Sequence, residues 1–338
     1  MDRIFDSFIS APAEPLLWFA IFMGATAIIV LFGVEKGVEK VSKFMMPVLV
    51  VITIFIAIYT MFQPGAMEGV KYYLLPDFSK FSATTVLAAM GQLFYSMSLA
   101  MGIMITYGSY MKKEVSLESS VAQIEGFDTG IAFFAGLMVI PAVFTVPNAE
   151  LKAGPGLMFG VLPGVFERMK GGAIIGAIFF LLVLFAALTS SISLMETVVS
   201  IVKDKLGWNR KIICLAVFIF CVVLGVPSCL GYSVWKDFDI GGKQILDFFD
   251  FITNSVMMPI VALLTCIFIG YVIKPKALIE EIELTGAFKA KTLFTVVIKY
   301  IAPVCIILIR SKTVENTHCF ITPADRKKRL CLDEQSLP

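Results

Sequence analysis

Eight apolar stretches separated by polar segments organise the chain, near 15–34, 44–63, 85–111, 124–146, 171–202, 210–227, 245–273 and 292–310. Each is about 20 residues or longer, enough to cross the hydrocarbon core of a bilayer as an α-helix. The pattern predicts an all-α polytopic membrane protein with eight transmembrane helices. The third stretch is interrupted and the fifth is overlong, as expected of helices that line a site or tilt. Within the third, Gly91-Gln-Leu-Phe-Tyr-Ser-Met-Ser-Leu-Ala-Met-Gly102 sets Ser96 and Ser98 one residue apart between glycines. A continuous lipid-facing helix has no use for such a run. Non-helical backbone at membrane depth persists only where it is buried in protein or lines a wet cavity. The expectation is a helix broken at mid-membrane. Its two ends offer carbonyls to a cation and free N–H groups to a carboxylate, the architecture of an ion-coupled transporter site.

The connections alternate in charge. Those after the first, third, fifth and seventh stretches hold 13 Lys/Arg, and the longer segments on the opposite side (1–14, 64–84, 147–170, 228–244) hold eight. The positive-inside rule then places the N-terminus outside and the first short loop in the cytoplasm of a multi-pass cell-membrane protein. The segment 311–338 is polar, aperiodic and basic, and reads as a disordered tail behind one membrane domain over 1–310. In 147–170, Gly154-Pro155-Gly156 and Leu162-Pro163-Gly164 predict two short helical pieces with a turn between them, either a hairpin dipping into an outer vestibule or an ordered loop without a gating role.

Composition narrows the chemistry. Hydrophobic residues make up 58% and charged residues 16%, so most of the chain sits in lipid or against other apolar helices. The basic residues are dispersed through loops and point to no nucleic acid. The single histidine, His318, lies in the tail, which removes His-based triads and His-ligated metals. The seven cysteines show no CxxC spacing and read as small hydrophobes. Met1-Asp-Arg-Ile-Phe-Asp6 lacks a basic region and a cleavage site, so no signal peptide is expected.

Three sets of polar residues carry candidate chemistry. Ala186, Thr189, Ser190, Ser193 and Leu194 recur on one helical face, where hydroxyl and carbonyl oxygens suit a hard cation such as sodium. The alternative is that these hydroxyls bond back to the preceding turn or join helices. Asp128, in Gly126-Phe-Asp-Thr-Gly130, is either a carboxylate at membrane depth awaiting an ion or partner, or an N-cap at the surface. Asp247 and Asp250 open the seventh stretch as outer-gate or cap residues. Glu196, a turn or so beyond the hydroxyl face, is expected to pair with a lysine of an inner loop.

Gly91 to Gly102, followed by Ile105-Thr-Tyr-Gly-Ser-Tyr110, resembles the sixth helix of the neurotransmitter:sodium symporters, and so does the preceding Tyr72-Tyr-Leu-Leu-Pro-Asp-Phe78. Phe185-Ala-Ala-Leu-Thr-Ser-Ser-Ile192 is similar to their eighth helix. Gly33-Val-Glu-Lys-Gly-Val-Glu-Lys-Val-Ser-Lys-Phe-Met-Met-Pro47 resembles the loop into their fifth. Ile140-Pro-Ala-Val-Phe144 and the segment from Ala153-Gly-Pro-Gly156 to Leu162-Pro-Gly-Val-Phe166 resemble the seventh helix and the outer lid loop.

The resemblance covers roughly residues 15–309 and maps the eight stretches onto family helices four to eleven, an inverted-repeat fold that is itself a worked example of broken-helix sites. It implies that Tyr95, Ser96, Ser98, Met101, Ser190 and Leu194 line a pocket for an amino acid or related small amine. It also implies that Ser96 and Asp128 contact one co-transported sodium, and that Ala186, Thr189 and Ser190 contribute to a second. Asp128 would stand in place of a neutral amide and supply the charge that chloride supplies in some relatives. The flexible thioether of Met101 suits several apolar side chains. Family helices one to three have no counterpart here, so the chain is expected to be a truncated member, inactive alone. A fragment that only associates with other helices is the alternative. An intramembrane enzyme would need a catalytic dyad or metal set that the spans do not offer.

Overall fold

Apolar runs of membrane length have one economical way to satisfy their peptide groups, the α-helix, and this chain takes it. The computed structural model describes residues 2–145, 156–238, 240 and 243–309. Among them the helices are α1 (Asp2–Ser10), α2 (Glu14–Leu31), α3 (Lys40–Met61), α4 (Ala66–Leu74), α5 (Ala83–Ser96), α6 (Ile103–Ser109), α7 (Leu117–Phe144), α8 (Leu162–Arg168), α9 (Gly172–Leu206), α10 (Arg210–Leu230), α11 (Ile245–Asp250), α12 (Met258–Ile267), α13 (Pro275–Ile282) and α14 (Lys291–Val296). Among the described residues the one β pairing is an isolated bridge between Ile240 and Lys243. Wider π-helical turns extend α11 and α12 into one rod over Ile245–Ile273, and α14 into another ending at Ile309.

Seven of these elements are long and apolar enough to cross a membrane. The eighth expected span, 85–111, is the broken one, divided into α5 and α6. At 1.5 Å per residue, the 35 residues of α9 reach about 50 Å, well beyond the hydrocarbon core, so α9 projects past it. The ends follow local chemistry. The Ser82 side chain accepts from the Thr85 amide at 3.3 Å to start α5, and Gly207, at φ 65°, closes α9 with its N–H on the Lys203 carbonyl. Of the hairpin expected in 147–170, the second piece is present as a π-helical turn over Gly156–Val161 running into α8. Residues 146–155 and the expected tail 311–338 lie outside the described residues.

The chain divides into two units. The first comprises Met1–Phe81 and Ile124–Trp235. Its core forms where α3, α7, α8 and α9 meet, around Ile56, Met138, Ala142, Leu162, Phe166 and Phe179. On its other side α2 packs against α9 and α10, with Gly225 so close to Phe19 that a Cβ there would sit 2.2 Å from the ring. Small residues of this kind let membrane helices approach where no hydrophobic force draws them together. Leu17, Trp18, Ile21 and Ile28 of α2 are each more than half exposed, as lipid-facing side chains are. The second unit comprises Ser82–Gln123 and Lys236–Pro338, so the early turns of α7 belong to it. In it the end of the rod Ile245–Ile273 packs against the helix beginning at Lys291.

One ion pair ties α2, α9 and α10 together. Glu196, fully buried on α9, meets the Arg210 guanidinium at the start of α10. The fork reaches both carboxylate oxygens, with Nη1 3.2 Å from Oε1 and Nη2 on Oε2. Arg210 also donates to the Val30 carbonyl near the end of α2, from Nε at 3.0 Å and Nη2 at 2.7 Å. The partner of Glu196 is therefore an arginine, not the loop lysine expected from the sequence. The planar fork holds the carboxylate through two bonds and the helix-end carbonyl at the same time, a fixed geometry that an ammonium does not offer. Replacing Arg210 with Ala should cost about 3–5 kcal/mol by stranding a buried carboxylate. The drop should be read as a lowered midpoint of thermal unfolding in detergent, with Arg210→Lys falling between it and the parent.

Candidate functional site

The break in the third span is set by backbone that no helix can hold. Over 97–102 the chain turns, with Ser98 at φ 54°, Ala100 at φ 64° and Gly102 at φ 77°. Left-handed conformation costs a non-glycine residue roughly 1–2 kcal/mol. The last bonds of α5 run from the Met97 amide to the Leu93 carbonyl, from the Ser98 amide to that of Tyr95 and, in a wider turn, from the Leu99 amide to that of Phe94, and α6 restarts with the Thr106 amide on Gly102. The carbonyls of Leu93, Phe94 and Tyr95 thus stay bonded to amides of the turn, and the first amides of α6 precede its helical pairing. Tyr95 and Ser96 are exposed, and Ser98 and Met101 half-buried. The Ser96 hydroxyl donates back to the Leu93 carbonyl at 3.3 Å. In the same unit Tyr95 borders a cavity of about 210 Å³ with Gly91, Phe94, Asn254, Ser255 and Ile306, smaller than a typical ligand pocket.

In the first unit, the middle of α9 carries the hydroxyl face. Thr189 is buried and its hydroxyl reaches the carbonyls of Phe185, at 3.1 Å, and Ala186, at 3.0 Å. This is the back-bonding that threonine adopts in membrane helices. It does not exhaust the oxygen, because a hydroxyl that donates one proton keeps its lone pairs for a cation. Ser190 is exposed, and among the described residues no hydrogen-bond partner meets its hydroxyl. Leu194 is exposed one turn further and Ala186 is half-buried. Ser193 bonds back to the Thr189 carbonyl at 3.0 Å. Ser191 turns to the other side of the helix, where its hydroxyl lies 2.9 Å from that of Thr26 on α2. One face of α9 thus joins helices while the other presents oxygens.

Asp128 lies 11 residues into α7, which begins at Leu117, so the N-cap reading falls and a half-buried carboxylate within the span remains. In α11, Asp247 near its start and Asp250 at its end are exposed. Asp247 lies in the first turn, where its charge complements the helix dipole. Asp250 accepts a hydrogen bond from Asn254 Nδ2 at 2.6 Å. Tyr95, Ser96, Ser98 and Met101 belong to the second unit, and Asp128, Ala186, Thr189, Ser190 and Leu194 to the first. Sequence reasoning passed over Asn254, an amide in an apolar run, and Thr26, whose value lies in a partner 165 positions away.

Comparison with known proteins gives one answer. Residues 7–322 match the family model described as the sodium:neurotransmitter symporter family. The chain is 35% identical to a sodium-dependent transporter of Bacillus subtilis, YhdH, over 90% of this chain and 68% of that protein. It is 36% identical to a sodium-dependent transporter of Haemophilus influenzae, over 89% of this chain and 65% of that one. Among solved structures, MhsT in complex with L-phenylalanine superposes with a TM-score of 0.81 at 38% identity, over 90% of this chain and 69% of that chain. The chain thus spans about two thirds of the length of these relatives.

Removing the Ser191 hydroxyl should weaken the junction of α2 and α9. An interhelical hydrogen bond in a membrane protein averages about 0.6 kcal/mol. Ser191→Ala should therefore lower the thermal midpoint slightly, while Ser190→Ala, which breaks no bond of this kind, should leave it in place.

Proposed function

Because the chain belongs to the sodium:neurotransmitter symporter family, a family of transporters rather than enzymes, we propose that it serves sodium-coupled symport of an amino acid by alternating access. The observation that carries this reading is the helix broken over 97–102, where α5 ends and α6 begins beside the hydroxyls of Ser96 and Ser98. In a bilayer such polar ends are worth keeping only for a polar cargo. Substrate contacts Tyr95, Ser96, Ser98, Met101, Ser190 and Leu194. One sodium is held by Ser96 and Asp128, and a second by Thr189, Ser190 and the Ala186 carbonyl. Asp247 and Asp250 serve as outer-gate carboxylates. Met101 and Leu194 favour an apolar side chain, and the phenylalanine bound in the related MhsT structure is of that kind. Sodium stabilises the outward-open state, substrate closes the outer gate, and rocking of the helices opens the inside. Binding of labelled L-phenylalanine tests the reading, with sodium titrated against choline. It is measured on purified protein that carries the whole family fold. Binding indifferent to sodium would overturn it.

The two ion assignments separate by mutation in the same assay. A sodium that loses one oxygen ligand should lose on the order of 1–3 kcal/mol, a five- to hundredfold weaker apparent affinity. Thr189→Ala and Ser190→Ala should both shift the sodium curve by that much. Ser191→Ala should leave it nearly unmoved, and an equal shift would show that the ion-facing side is misassigned. Asp128→Ala should abolish sodium-dependent binding, whereas Asp128→Asn keeps an oxygen but not the charge and should bind in a chloride-responsive way. Unchanged sodium dependence in Asp128→Ala would remove that residue from the site.

A further inference from the structure

Where the rod Ile245–Ile273 ends and the last helix begins, the second unit contains a cavity of about 590 Å³. Four lysines, Lys274, Lys276, Lys291 and Lys299, line it against two carboxylates, Glu280 and Glu283. The carboxylates are already engaged. Glu283 pairs with Lys291 at 2.6 Å, and the Lys291 hydrogen bond holds the Glu283 carboxyl below the ordinary carboxylate range, against the opposing effect of desolvation. Glu280 faces Lys276 at 3.7 Å, one turn along α13. Among the described residues no carboxylate pairs with Lys274 or Lys299. The Lys299 ammonium lies 5.9 Å from the centre of the Tyr271 ring, whose hydroxyl donates to the Lys299 carbonyl. The cavity therefore carries two positive charges in excess.

Its position and its borders point to the anion. The cavity opens at the junction of two membrane-length helices with the loop 274–291, on the side that the loop charges place in the cytoplasm. Lys299 stands two turns inside the last helix, at the depth where a long side chain reaches up to the headgroup layer. Beside the cavity, Val272, Ile273, Val296 and Tyr300 are exposed, an apolar strip suited to acyl chains. A free anion needs no such strip. We propose that this cavity binds the phosphate of an anionic phospholipid headgroup through Lys274 and Lys299, with the acyl chains lying along that strip. Basic pockets between helices on the cytoplasmic side bind anionic headgroups by this chemistry. The two ammonium groups, with three N–H donors each, meet phosphate oxygens as point charges.

Native mass spectrometry of the purified 338-residue chain in detergent tests this, with phosphatidylglycerol and phosphatidylcholine as probes. Phosphatidylglycerol should bind the parent chain roughly thirtyfold more tightly than phosphatidylcholine, the contribution of two lysines near an anionic group. The variant K274Q/K299Q should lose that preference, and Lys205→Gln, in the basic last turn of α9, should keep it. Glu280→Gln removes an opposing charge and should tighten phosphatidylglycerol binding, so the proposal stays exposed to refutation even if the double variant does not fold. An equal preference in K274Q/K299Q and Lys205→Gln would reduce the effect to general surface charge and overturn the proposal. So would failure of Glu280→Gln to tighten binding. Millimolar inorganic phosphate is the third arm. If it displaced phosphatidylglycerol completely, the cavity would be a free-phosphate site and the lipid assignment would fall.

Discussion

Hydrocarbon offers a peptide group nothing to bond with, and every feature of this protein is arranged around that fact. A helix satisfies its own amides and carbonyls, so the chain is helical wherever it runs through lipid. Among the described residues, the turn over 97–102 interrupts that pairing within a span and becomes chemically exceptional for the same reason. Two non-glycine residues there, Ser98 and Ala100, sit in left-handed backbone, a local strain that persists only when the surrounding structure over-determines it. The end of α5 and the first amides of α6 present oriented dipoles inside the span. Such dipoles hold an ion more strongly than they could in water.

The same scarcity of water governs the side chains. Glu196 is fully buried and is tolerated because Arg210 supplies a matching fork, two further donors of which go to the Val30 carbonyl. The result is a junction of three helices held by groups that would be worth little at a wet surface. Along α9 the hydroxyls divide by direction. Ser191 meets Thr26 and joins helices, whereas Ser190 keeps its oxygen unbonded and Thr189 keeps lone pairs. Helical geometry explains the split, since adjacent residues point about 100° apart. Scaffold and site can therefore be written into three consecutive residues.

At the membrane boundary, where water returns, lysines can be left without carboxylates and the electrostatic logic reverses. Lys291 and Glu283 form an ordinary exposed pair, but Lys274 and Lys299 remain positive beside an apolar strip. Inside the span, charge is cancelled to keep the helices together. At its edge, charge is kept for a partner.

The sequence by itself determined the helical membrane class, the spans and the location of the break. Each depends on composition and short-range pattern: hydropathy over about 20 residues, glycines beside a pair of serines, and hydroxyls at helical spacing. The family was legible because several such motifs occur in one order. What only the tertiary structure decided was pairing across distance. Arg210 rather than a loop lysine meets Glu196, Thr26 meets Ser191, and Lys274 and Lys299 border one cavity without carboxylate partners. Asp128 lost its cap reading because the helix starts 11 residues earlier, at Leu117, about two turns ahead of the apolar stretch and in polar residues that hydropathy does not mark as helix. Hydropathy records how often a residue prefers lipid. It carries no information on which distant side chain a helix, once placed, will bring within 3 Å, and in a membrane that partner decides whether a polar residue is glue, ligand or a charge in wait.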